Sequence, residues 1–212
     1  MGRFDVYYKK IISKIFIKYI DFVFKTSKII KNENFNLLKN ENKEKYIVLF
    51  WHGDSYSLNP FLKGESLYVI TTADSRGDYI TDLCNFYGYK TFRVPDETNG
   101  EGNFLRKIRK EIDFGDKSNL AVAMDGPLGP FHEPKSISFV LALLTKRKVI
   151  KVSIHTKCKI SLYKRWDNYS IPLPFNTITI GVSEPIEVDR DDRKNDFLKI
   201  KELLKNEINV EK

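Results

Sequence analysis

Cysteine is scarce. Only Cys84 and Cys158 occur in 212 residues, both in apolar surroundings and without metal-type spacing, so a disulfide framework is excluded and a reducing, cytoplasmic setting is expected. The three histidines, His52, His132 and His155, have no zinc spacing. No apolar run reaches the roughly 18–20 residues of a transmembrane span. Lysines interrupt the apolar N-terminal segment and no small-residue cleavage site follows, which argues against a signal peptide. The nucleophile elbow of serine hydrolases and the phosphate-binding loop of nucleotide hydrolases are also missing. There is no internal repeat and no low-complexity tract.

What is present is an ordinary apolar fraction, 42%, enough for one large domain with its own core. The charge is unevenly spread. Residues 1–31 hold eight basic and two acidic side chains, so six of the net +8 charges sit there and the other 181 residues are close to neutral. In this arm Lys10, Lys14, Lys18, Asp21, Lys25 and Lys28 recur at helical spacing and draw one narrow polar stripe through Ile, Phe, Val and Tyr. The spacing predicts an amphipathic helix over 1–31, lying in a membrane interface with its lysines reaching anionic head groups. A long helix packed across the domain's own core, lysines in water, satisfies the same pattern, and the two roles are compatible. No nucleic-acid partner is expected, because the aromatics belong to the apolar face and no RNA-binding signature accompanies them.

Beyond a polar spacer, residues 46–212 read as one α/β domain. Apolar runs of strand length are "YIVLFWH" (46–52), "LYVITT" (67–72), "YKTFRV" (89–94), "NLAVAM" (119–124) and "VIKVSI" (149–154). Helical patterns separate them: "GDYITDLCNFYGY", "NFLRKIRKEIDFG" and "SISFVLALLTKRK". "KISLYKRW" and "TITIGVSEPIEV" supply later strands, and "DFLKIKELLKNEI" an amphipathic last helix. This alternation predicts a mostly parallel central sheet flanked by helices, with an antiparallel pairing at one edge.

Ligands bind beyond the carboxyl ends of parallel strands. There the sequence places His52 after the first strand, Asp74, Arg76 and Asp78 after the second, Arg93 at the end of the third and Asp125 after the fourth. A neutral His52 can take a proton from a hydroxyl if a carboxylate fixes its tautomer; capping of backbone is the plainer reading. Asp54 and Ser55 suit a helix N-cap, and Asp78 suits a first helical turn whatever the function. The loop "VPDETNGEGN" after Arg93 is only superficially a dinucleotide fingerprint, yet it could cradle a phosphate at a helix start. Most unusual is "AVAMDGPLGPFHEP" (121–134). Two glycines and three prolines follow Asp125 within ten residues. Gly126 and Gly129 allow close backbone approach while Pro127 and Pro130 fix φ. Such a loop holds Asp125 against His52, presents backbone N–H groups to an oxyanion or phosphate, or serves as a rigid connection with Asp125 as a cap.

The order "LFWHGD", "TTADSRGDYI", "YGYKTFRV" and "AVAMDGPLGPFHEPKSISFVLALLTKRKVIKVSI" resembles the lysophospholipid acyltransferase superfamily over about residues 46–186. More narrowly it resembles a bacterial branch known as a domain of unknown function. The resemblance implies transfer of an acyl chain from coenzyme A or acyl carrier protein, used as co-substrate with no bound cofactor or metal, to a hydroxyl of a lysophospholipid or other lipid-like acceptor. It implies a peripheral enzyme of phospholipid biosynthesis on the cytoplasmic face of the inner membrane. His52 falls at the family's catalytic base, Arg93 at its phosphate-contacting arginine, Asp125 and Gly126 at its Glu-Gly motif, and "VIKVSI" at its fourth motif. Arg76, Pro127 and Gly129 join the expected acceptor-binding set. The superfamily signature, His-x-x-x-x-Asp, is broken, since Ser57 stands where the acid belongs. Asp125, ahead of Asp78, is the expected substitute. A non-catalytic lipid- or acyl-carrier-binding protein on the same fold is the alternative that this gap leaves open.

Overall fold

The computed structural model describes residues 3–55, 60–73, 75–94, 101–113 and 118–205, without the side chains of 3–10, 75–76, 101–103 and 112–113. Asp74, Ser57, the Arg76 side chain and the "PDETNG" part of the third loop therefore lie outside the described residues.

The chain opens with helix α1 (Arg3–Thr26) and strand β1 (Lys28–Lys31), then a 3-10 turn (Glu33–Leu38) and β2 (Ile47–Phe50). Next come β3 (Leu67–Thr72), α2 (Ser75–Tyr87), β4 (Lys90–Val94), α3 (Glu101–Asp113), β5 (Asn119–Ala123), α4 (Ser136–Thr145) and β6 (Val149–Thr156). A small hairpin of β7 (Lys159–Ser161) and β8 (Ser170–Pro172) precedes β9 (Thr177–Val182), α5 (Arg190–Lys194) and α6 (Leu198–Lys205). Seven strands form one sheet in the order β1-β9-β6-β2-β5-β3-β4. All neighbours are parallel except β6 and β9. The α/β class with a mostly parallel sheet is as expected, but the antiparallel joint lies inside the sheet, with the β9–β1 pair completing that side.

Period-two alternation assigns the two faces. Val48 and Phe50 of β2 face a core closed by Ile17 and Val23 of α1, Phe35 of the 3-10 turn and Leu83 of α2. Ile47 and Leu49 face the opposite core, closed by Ile108 of α3, Phe139 of α4 and Leu204 of α6. Every residue of β2 is buried, which explains its continuous apolar run, and each such side chain contributes roughly 1.5–3 kcal/mol.

The arm is divided more finely than residues 1–31 suggest. Its helix ends at Thr26, and Lys28–Lys31 pair with Thr177–Ile180 of β9 as a sheet edge. Ser13, Ile17, Ile20 and Val23 are buried, so one face of α1 packs on the domain. Ile11, Ile15 and Phe22 remain exposed on the other. No helix among the described residues is long and apolar enough to cross a membrane.

Candidate active site

Strands β2 and β5 run in register, Phe50 beside Ala123. Two residues beyond that pair, His52 opens a 3-10 turn and Asp125 lies in the loop after β5, and the two meet at the carboxyl edge. Short range decides what they do. Asp125 is fully buried, and its Oδ1 accepts the backbone N–H of His52 at 2.9 Å. It grips the main chain of the histidine, not its ring. Its Oδ2 is buried without a hydrogen-bond partner among the described residues. Burial raises the Asp125 carboxyl above its ordinary pKa, opposed by the backbone N–H bonds it accepts.

The carboxylate against the imidazole is Asp167. His52 Nδ1 lies 2.8 Å from Asp167 Oδ2, and the Asp167 side chain is completely enclosed. Arg165 clasps the same carboxylate with two N–H donors, Nε to Oδ1 at 2.9 Å and Nη2 to Oδ2 at 2.8 Å. Burial alone would raise the Asp167 pKa; the bonds from Arg165 and His52 outweigh it and hold the group below the usual carboxylate value. An ionised Asp167 accepts only, so in the neutral ring Nδ1 carries the hydrogen and Nε2 the lone pair. The His52 side chain is 27% exposed, which leaves the ring open on one side.

The loop carrying Asp167 reaches the ring because glycines remove two obstacles. A Cβ on Gly53 would collide with the Asp167 carbonyl oxygen, and one on Gly129 would run into the Trp166 ring. Gly129 and Gly126 both hold φ of +70°, a region side chains disfavour. Trp166 and Tyr169 stand 5.4 and 6.3 Å from the His52 ring, and the Ser55 and Tyr169 hydroxyls lie 3.0 Å apart. His132 is stacked on Trp51 at 4.3 Å and on Phe131 at 3.8 Å. Beneath Trp51, the buried Lys151 of β6 donates to the Leu204 carbonyl of α6 at 2.7 Å, tying the last helix under the site. Rings such as Trp166 and Tyr169 beside a polar pair lower the local dielectric, which favours hydrogen bonds of the His52–Asp167 kind.

The remaining expected residues divide. Asp78 does not reach the His52 ring; it pairs with Arg93, Nη1 to Oδ1 at 2.7 Å, while Arg93 Nε donates to the Thr72 carbonyl. That pair belongs to β3–α2 and β4, and β4 is the third strand from β2, about 14 Å away laterally. Gly126 makes the turn after β5, its N–H donating to the Ala123 carbonyl, and Pro127 is exposed at the loop surface. No group of histidines, cysteines and carboxylates among the described residues is arranged to hold a metal. Two surface cavities, of about 410 Å³ between α3, α4 and α5 and about 580 Å³ between the Pro130–Ser136 segment and α6, are not lined by His52.

No family model matches this sequence. Uncharacterized protein RP090 of Rickettsia prowazekii (strain Madrid E) is 30% identical over 205 residues, covering 92% of this chain and 89% of that one. Among solved structures, the crystal structure of the 1-acyl-sn-glycerophosphate (LPA) acyltransferase PlsC from Thermotoga maritima aligns over 96% of this chain and 83% of that one, with a TM-score of 0.51 and 16% identity. The likeness is one of fold.

Proposed function

We propose that this chain, which belongs to the same family as the Rickettsia prowazekii protein, is an O-acyltransferase that moves a fatty acyl group from a thioester to a hydroxyl of a lipid-like acceptor. The observation that carries the reading is the His52–Asp167 pair at the carboxyl edge of the sheet. The Thermotoga maritima acyltransferase shares the fold on which the pair is built.

His52 Nε2 takes the acceptor's hydroxyl proton as that oxygen attacks the thioester carbonyl. Asp167, held ionised by Arg165, stabilises the imidazolium. The tetrahedral adduct then expels thiolate, which recovers the proton from Nε2, so base and charge return to the starting state. General-base assistance of this kind supplies about 10²–10⁴ in rate. The alternative of a non-catalytic lipid- or carrier-binding protein took its force from Ser57. Asp167 removes that motive, since it brings a carboxylate to the ring from a different part of the chain. The acceptor is a lysophospholipid or relative, the donor acyl-coenzyme A or acyl carrier protein, and α1 rests against the cytoplasmic leaflet as a peripheral anchor.

A labelled-acyl transfer assay tests this, with lysolipid and sugar-lipid acceptors and both donors, wild type against His52→Ala. The variant is expected to lose at least about a hundredfold in rate. Equal transfer by the two proteins would reject the proposal.

A further inference from the structure

The hairpin β7–β8 carries side chains that a soluble hairpin has no use for. Ile160, Leu162 and Tyr163 are exposed, Tyr163 to 79%, and Phe175 just beyond β8 is 78% exposed. Bases flank them: Lys157, Lys159 and Lys164 are exposed, and no acid occurs between residues 157 and 165. The hairpin is also fixed beside α1. Tyr19 Oη donates to the Pro172 carbonyl at 2.8 Å, and Phe22 meets Phe175 edge-on at 6.1 Å. The outward face of α1 continues the same chemistry, with Ile15 and Phe22 exposed alongside the exposed Lys14, Lys18 and Lys25.

We infer that the β7–β8 tip and the outward face of α1 form one composite surface for an anionic lipid bilayer, with Leu162 and Tyr163 inserting at the head-group level. The inference rests on the acyl-transfer reading for its biological sense, and adds a second point of contact beyond the N-terminal helix. Charge selects the occupant. Lysines interleaved with aliphatic and aromatic side chains match a negatively charged interface, into which apolar tips sink while ammonium groups stay with the head groups. A second copy of this chain would bring lysine against lysine.

The surface is joined to the site by one closed turn. Leu162 N–H donates to the Tyr169 carbonyl at 2.9 Å, and Arg165 N–H to the Leu162 carbonyl at 3.0 Å. Arg165 and Asp167, which grip His52, lie inside that turn. A bilayer that holds the tip thus also holds the carboxylate at the imidazole.

Flotation of the full chain on phosphatidylcholine vesicles, with and without phosphatidylglycerol, tests the surface without any acyl transfer. Wild type is expected to float with the anionic vesicles only. Leu162→Glu/Tyr163→Glu is expected to lose at least about fivefold in bound fraction at an unchanged melting temperature, both sites being exposed. Leu162→Trp should float like wild type, with its emission quenched by brominated lipid. Flotation of the double-Glu variant equal to wild type, absent quenching of the tryptophan variant, or failure of wild type to float would each overturn the inference. Acyl transfer to a detergent-dispersed acceptor is scored separately, so loss of one result leaves the other standing.

Discussion

His52 and Asp167 meet at 2.8 Å across 115 residues of sequence, and Arg165 locks the carboxylate from behind. An amide at position 167 would break this arrangement in a defined way. Its nitrogen can donate to Nδ1, which moves the imidazole hydrogen to Nε2 and removes the lone pair facing the acceptor. In the serine-protease triad the equivalent change costs about 10⁴ in turnover. Asp167→Asn is therefore expected to lower kcat by about 10²–10⁴ with little change in KM. Because the two residues act as a unit, His52→Ala/Asp167→Asn should be no slower than His52→Ala alone. Steady-state kinetics of the three variants decide it; multiplicative losses would show Asp167 acting somewhere other than through the ring.

Asp125 demands the opposite expectation. It touches the main chain of His52, and burial favours its neutral form, so an asparagine keeps the acceptor oxygen at lower desolvation cost. Asp125→Asn should retain activity within about tenfold. Asp125→Ala leaves the His52 N–H without its partner and should cost about 1–3 kcal/mol of stability by denaturant titration. An Asn variant as inactive as His52→Ala would return Asp125 to the proton-transfer chemistry.

Gly53 gives an independent handle on the same geometry. Adding one methyl there puts it into the Asp167 carbonyl, so the 165–168 turn must back away from the ring. Gly53→Ala is expected to reduce kcat by at least about tenfold, since small misplacements of a catalytic constellation are amplified in rate. Gly64, at φ +92° with open space around it, is the control: Gly64→Ala carries a backbone penalty only and should change stability, not kcat. Full activity of Gly53→Ala would mean that the turn does not need to sit where it does.

These contrasts explain what the amino-acid order disclosed and what it withheld. The parallel strands were legible because residues such as Ile47–Phe50, buried on both faces, must be continuously apolar. The edge position of His52 and Asp125 followed from that. Whether Asp125 meets the ring or the backbone depends on register, Phe50 beside Ala123, which no local pattern reports. Asp167 was hidden for a different reason. It lies in a turn between two three-residue strands: the strand expected over "KISLYKRW" ends at Ser161, and the polar "DNY" that follows has no periodicity to place it. The one available hint was Gly53: a residue without Cβ directly after a candidate base signals close approach by another segment. The inner position of the antiparallel joint was equally hidden, since "TITIGV" fits either direction of pairing.

Asp54 predicts an effect of pH on stability. Burial pushes its carboxyl up to about 6, with Asp125 adding to the shift and Lys159 and Lys151 opposing it. The native state thus holds this proton more tightly than the unfolded chain, where the group titrates near the usual value of about 4. Stability must then fall as pH rises from about 4 to about 6, by roughly 2 kcal/mol for a shift of this size. Asp167 does not mask the effect. Its lowered pKa confers stability that is lost only as pH drops below the ordinary carboxylate range. Asp54→Asn, which mimics the protonated form, should equal wild type near pH 4 and exceed it by roughly 2 kcal/mol at pH 7.5. Denaturant titrations of both proteins at four pH values between these limits would trace the difference. A gap that stays constant with pH would mean that Asp54 ionises normally in the folded chain and that its burial is compensated by groups not counted above.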